Sequence, residues 1–81
     1  MTTLDFPNVF HLHIDRGLLR SRRYRLGWTM TFVARITGLS RKTIAAIENG
    51  DTMPTVLSLA LLCHIYDLPL AEVVIIQELP F

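Results

Sequence analysis

Cysteine occurs once, at Cys63, so the chain can close no internal disulfide and is expected in a reducing compartment. No apolar run free of charge is long enough to span a bilayer, and the first residues lack the basic-then-apolar pattern of a secretory signal. The expected location is therefore cytoplasmic, with no membrane partner. Glycine and proline number four each, and no linker, repeat or low-complexity stretch separates one part of the chain from another. A single small domain over residues 1–81 is expected, near the size at which self-association adds stability. Aromatic residues are few, yet half the chain is hydrophobic, which excludes a disordered segment. No Ser/His/Asp, Cys/His or paired-carboxylate arrangement is recognisable, and no phosphate loop exists. Neither an enzyme nor a cofactor is expected.

The most informative shortage is of acid in the middle of the chain. The net charge is only +1, but all eight basic residues lie between Arg16 and Lys42, and no carboxylate occurs from Arg16 to Ile47. The seven acidic residues (Asp5, Asp15, Glu48, Asp51, Asp67, Glu72 and Glu78) sit outside that interval. A basic block on an otherwise acidic chain is an electrostatic footprint for phosphates. An ordinary solvated helix face would show the same block, so charge alone does not decide.

What is present inside the block decides more. Thr29 to Gly50, TMTFVARITGLSRKTIAAIENG, reads as two short helices, Met30–Thr37 and Arg41–Glu48. Thr29 and Ser40 are side chains that accept amides at a helix start. Gly38 and Gly50 take the left-handed geometry that ends one. Ala34 is small where the two helices approach, and Val33, Ile36, Leu39, Ile44 and Ile47 are the apolar positions that would pin them to a core. Two helices joined by a short turn containing glycine form a helix-turn-helix.

With the following Glu48-Asn49-Gly50 and Pro54, this stretch resembles the lambda-repressor-like (Cro/cI, xenobiotic-response-element type) helix-turn-helix family, from about Leu19 to Val73. The resemblance implies an all-α fold, a compact five-helix domain, to which the flanking sequence adds short terminal β-strands. It also implies double-stranded DNA as the partner. Ser40, Arg41, Lys42, Thr43 and Ala46 would face base edges from the second motif helix. Asn49 and Thr52, with the nearby backbone amides, would hold phosphate, and Arg20, Arg22 and Arg25 would attract it less specifically. Arg23 would pair with Glu48, as the corresponding residues do in the family. Two departures weaken the phosphate clamp. Met30 stands where the family often has glutamine, and Phe32 replaces the acid that completes a capping box.

Around the motif the chain reads less sharply. Residues 1–15 form an arm in which Val9–Ile14 alternates from Phe10 onward, with Phe10, Leu12 and Ile14 on the buried face of a short strand. His11 and His13 would share its solvent face. A metal pair needs a further ligand, and Cys63 and His64 are far away in sequence, so no metal is expected. A helical core spans residues 16–74. Its first helix, Arg16–Leu26, is capped by Asp15 and stopped by Gly27. The fourth helix, Val56–Tyr66, follows Thr55, with Val56, Leu59, Ala60, Leu62, Cys63 and Tyr66 toward the core. A short fifth helix follows Pro69. Trp28 is expected in the core rather than as a stacking platform.

The fourth helix carries a second apolar row, Leu57, Leu61 and Ile65, where the family exposes polar residues at the first two of these positions. The tail from Val74 to Phe81, VIIQELPF, suits a strand that pairs with the tail of a second subunit or with Val9–Ile14. Leu57, Leu61, Ile65, Val74, Ile75 and Ile76 are accordingly expected in a dimer interface. The function that follows is a sequence-specific, homodimeric transcriptional regulator of prokaryotic or phage origin, a repressor at a palindromic operator. The competing reading is an antitoxin-like interaction module, whose apolar tail would bind a toxin-like protein and whose helix-turn-helix would only autoregulate.

Overall fold

Four helices start on a side chain that takes up one of their unpaired amides. Asp15 Oδ1 accepts from Leu18 N at 3.0 Å, Thr29 Oγ1 from Phe32 N at 3.0 Å, Ser40 Oγ from Thr43 N at 3.0 Å and Thr55 Oγ1 from Ser58 N at 3.1 Å. Each such cap contributes about 1 kcal/mol. The computed structural model describes residues 10–78, and the side chains of residues 12–77. Within it the order is β1 (Phe10–Ile14), α1 (Arg16–Arg25), α2 (Met30–Thr37), α3 (Arg41–Asn49), α4 (Val56–Tyr66), α5 (Leu70–Val73) and β2 (Val74–Glu78). The expected arm before residue 9, the first residue of the expected strand, the His11 side chain and the end of the tail lie outside the described residues.

Gly38 and Gly50 end α2 and α3 in the left-handed region, at φ 79° and 82°. A side chain there would be strained. Asp67 ends α4 in the same region without that freedom, at φ 54°. Gly38 and Leu39 form the bend that turns α2 into α3, so the two motif helices pack directly on one another.

The two strands pair with each other, antiparallel, from Phe10↔Glu78 to Ile14↔Val74. Of the two partners foreseen for the tail, the one in the same chain is the one it takes here. A backbone bond from Asp15 N to Val73 O, 2.8 Å, continues the closure into the helical part.

The core is built from every element but β2. Leu19 of α1, Val33 of α2, Ile44 and Ile47 of α3, and Leu59, Leu62, Cys63 and Tyr66 of α4 are buried together, with Leu68, Val73 and Ile14. Burying a side chain of this size contributes about 1.5–3 kcal/mol, before entropy is counted. Trp28, Ala34, Leu39, Ile65 and Val74 pack against this cluster half-buried. The Trp28 ring lies 6.1 Å from Tyr66 and 5.2 Å from Phe32.

Four apolar assignments are corrected. Val56 and Ala60, expected in the core, are exposed. In α4 nearly every position is apolar, so periodicity cannot choose a face; the buried stripe is Leu59, Leu62, Cys63 and Tyr66. Ile36 is exposed in the last turn of α2, outside the core cluster that Val33 enters. Leu12 is exposed although Ile14 on the same strand face is buried, because only the inner rung of the ribbon, Ile14 with Val74, reaches the core. His13, expected to face solvent, is half-buried. Among the described residues no helix is long and apolar enough to cross a membrane, and no three of His, Cys, Asp and Glu gather as a metal site would require.

Candidate nucleic-acid interface

α3 is held at one end and open at the other. At the closed end, three arginines spaced along one face of α1 reach its last turn. Arg16 Nη1 donates to Ile47 O at 2.6 Å. Arg20 Nη2 donates to Glu48 O at 3.1 Å and to Asn49 Oδ1 at 3.0 Å, and Arg20 Nε lies 3.4 Å from Glu48 Oε1. Arg23 meets Glu48 in a two-pronged pair, Nε to Oε2 at 2.7 Å and Nη2 to Oε1 at 2.9 Å, and its Nη1 donates to Trp28 O at 3.0 Å.

The last carbonyls of a helix have no partner within it and sit at the negative end of its dipole, so cations are drawn there. Arg23 and Glu48 are both buried. The hydrogen bond to Glu48 raises the Arg23 pKa above the ordinary arginine value, against the opposing effect of burial. Tyr66 lies beside this pair. Burial, and next the charge of Glu48, push its hydroxyl up to about 12, while Arg23 pulls the other way. That hydroxyl has no hydrogen-bond partner among the described residues.

At the open end, Ser40 caps the helix and shares a 2.8 Å hydrogen bond with the Thr43 hydroxyl. Arg41 and Lys42 follow, both exposed, with no acidic residue in that first turn. Thr43 and Ala46 are half-buried on the same side. Two shallow channels flank the helix there. One of about 620 Å³ runs from Arg41 past Tyr24, Trp28 and Thr29 to the start of α2. The other, about 330 Å³, runs from Lys42, Thr43 and Ala46 past Thr52 and Met53 to the start of α4. The starts of three helices thus border the exposed Arg41 and Lys42, an arrangement suited to anions.

The remaining candidate residues divide by what they touch. Arg22 donates to Tyr66 O and to Asp67 O, so it holds the end of α4 as Arg16 and Arg20 hold the end of α3. Arg25 is exposed, as are Thr52, which lines the second channel, and Asn49, whose Oδ1 accepts from Arg20. Of the apolar row, Leu57 is exposed while Leu61 and Ile65 are half-buried, with Ile65 packed on the core. Val74 is also packed on the core, whereas Ile75 and Ile76 are open. Arg16, which helps to hold α3 in place, is the positioning residue that reading the sequence missed. Its spacing from Arg20 and Arg23, on one face of α1 ahead of a helix end rich in carbonyls, was the available signal.

Residues 19–73 match the family model described as helix-turn-helix. The chain belongs to the Cro/cI-type helix-turn-helix family. In the terms of that family α2 and α3 are the motif, and α3 is its second helix. Among curated proteins, one from Bacillus subtilis (strain 168), described as the uncharacterized HTH-type transcriptional regulator YgzD, is similar. It is 28% identical over 63 residues, 78% of this chain and 96% of its own length. No solved structure matches.

Proposed function

We propose that this helix-turn-helix protein, a DNA-binding transcription regulator, acts as a homodimeric repressor that reads a palindromic operator through the major groove. The observation that carries the reading is the open N-terminal turn of α3, lying between two channels that lead to the starts of α2 and α4. The major groove admits one helix, and only there do base edges present an unambiguous code. A helix entering N-terminus first would bring Arg41 and Lys42 to the base edges, with Arg41 suited to guanine O6 and N7. Ser40 and Thr43, whose hydroxyls already bond each other, would reach a base edge or phosphate, and Ala46 a thymine methyl. The starts of α2 and α4 would then meet the two phosphate backbones, with Asn49 and Thr52 beside the second.

Arg25 is the α1 arginine best placed for general phosphate attraction, since Arg20 and Arg22 already donate within the fold. One such head reads a few base pairs. Two related by a two-fold axis would read half-sites about 34 Å apart, and occupation of a promoter would exclude polymerase.

The test is a binding selection from fragmented source genome, with wild type and an Arg41→Ala/Lys42→Ala double variant side by side. Enrichment of a palindromic site by wild type alone is the expected result. Salt-sensitive binding to all fragments, equal for both proteins, would overturn sequence-specific reading.

A further inference from the structure

An apolar groove of about 380 Å³ opens between Leu12 and Val74 on the strands and the Met53–Val56 corner, with the buried Ile14 and Leu59 in its floor and Leu70 at its edge. It continues past Leu70 to Ile76. Its rim is open: Leu12 is 57% exposed, Met53 55%, Val56 83%, Leu70 48% and Ile76 67%. We propose that this groove is where a second copy of the chain docks, the two faces packing on each other across a two-fold axis that passes near Val56. The proposal rests on the homodimer reading above and gives that dimer its surface.

Three observations favour a second copy over another occupant. The first is area. Those five side chains leave on the order of 500 Å² of contiguous apolar surface open, at the upper end of what a monomer carries. That is the larger part of the ~800 Å² per partner in an interface of standard size. A two-stranded ribbon is itself marginal unless something covers it, and the outer rung, Leu12 with Ile76, is covered by nothing within the described residues.

The second is charge. Among the described residues, no basic side chain lines the groove, and neither does any carboxylate. An isologous contact sets a patch against itself, so a charged patch would oppose like charges while a neutral one does not. A strongly charged partner would find nothing here to pair with. The third is continuity. Met53 and Pro54 line this groove and also the channel beside α3. A contact at that corner would fix how α3 lies relative to the two-fold axis, and hence the spacing between half-sites.

The full chain is tested by sedimentation velocity over a wide concentration range, with folding followed by circular dichroism. Wild type is expected to dimerise. Val56→Glu and Val56→Lys should each raise the dimer dissociation constant by at least about thirtyfold, and an equimolar mixture of the two should dimerise again. Ile76→Glu, on the opposite wall, should dissociate the dimer as well, so the result does not hang on one variant's folding. A wild type that stays monomeric would overturn the proposal. Dissociation by Leu57→Glu but not by Val56→Glu or Ile76→Glu would overturn it while leaving the homodimer reading intact. Failure of the mixture to recover would remove Val56 from the axis and sink the proposed docking. A dimer that obeys these substitutions, in a protein that selects no DNA site, supports the docking and rejects the operator reading alone.

Discussion

The two ends of α3 differ in what their cations do. At the C-terminal end Arg16, Arg20 and Arg23 lie against carbonyl oxygens and a buried carboxylate, where the dipole of the helix and the local charge both attract them. At the N-terminal end Arg41 and Lys42 sit at the positive pole of the same helix, with no acid in the first turn to offset them. The same residue type therefore stabilises the fold at one end and works against it at the other. A local rule broken without compensation inside the protein points to a compensation outside it. A phosphate or a guanine edge supplies one.

This contrast can be broken at several points, the largest first. Glu48→Gln leaves Arg23 buried without its counter-charge and is expected to cost about 3–5 kcal/mol of folding stability, measured by urea denaturation. Replacing both partners, as Arg23→Met/Glu48→Leu, should restore most of the loss, because a buried pair contributes more to orientation than to stability. A double variant as unstable as the single one would show that the remaining bonds of Arg23 and Arg20, not the pair, carry that end.

At the other end Arg41→Ala should separate function from stability. Specific DNA affinity is expected to fall by about 1–3 kcal/mol, with preference relaxed at one base pair. The melting temperature should rise slightly, since a cation leaves the positive pole of a helix; that effect is about 0.3 kcal/mol. A lower melting temperature would mean that Arg41 is held by the fold and is not in tension with it.

Arg16 and Arg25, both on α1, sharpen the comparison further. Arg16→Ala removes a bond to Ile47 O and should cost about 1 kcal/mol of stability without changing the salt dependence of DNA binding. Arg25→Ala should leave stability unchanged and flatten the salt slope by about one unit. The opposite pattern would exchange their roles.

The smallest effect is expected at Tyr66. Tyr66→Phe removes a buried hydroxyl that has no partner among the described residues, and should be neutral or stabilising by up to about 1 kcal/mol. The alkaline limb reports the same group. Its folded pKa of about 12 stands above the ordinary 10.0, so in that interval the unfolded chain releases the proton first. Stability is therefore fully present below pH 10 and lost as pH rises toward 12. Tyr66→Phe should flatten that decline, and a decline of unchanged slope would assign it to other groups.

The parts of this structure legible in the sequence are those with local causes. Asp15, Thr29, Ser40 and Thr55 cap helices through their own side chains, and Gly38 and Gly50 end them through their own φ, so the boundaries follow from residues a few positions apart. The first turn of α3 was legible for the same reason: Arg41 and Lys42 need only the helix to be displayed together. Arrangements made across the chain were not legible. Nothing near Arg22 in sequence announces Tyr66 O, and nothing near Arg16 announces Ile47 O. Arginine stems are long enough to serve a distant helix end or a solvent-exposed ligand equally well. Val56 and Leu12 were misread because α4 is apolar all round and a strand can leave the core halfway along its length.

The pairing of Phe10 with Glu78 also bears on the order of assembly. Within the helical part α2 packs on α3, its neighbour in sequence, across a bend of a few residues, and such a contact closes quickly because its loop is short, whereas α1 packs on the later helices α3 and α4. The ribbon closes a loop that contains all five helices. During synthesis β1 emerges before all five helices and waits for a partner that follows them. The helix-turn-helix is thus expected to be formed while the ribbon is still open, and the apolar rung of Leu12 and Ile76 is completed only once the whole domain exists.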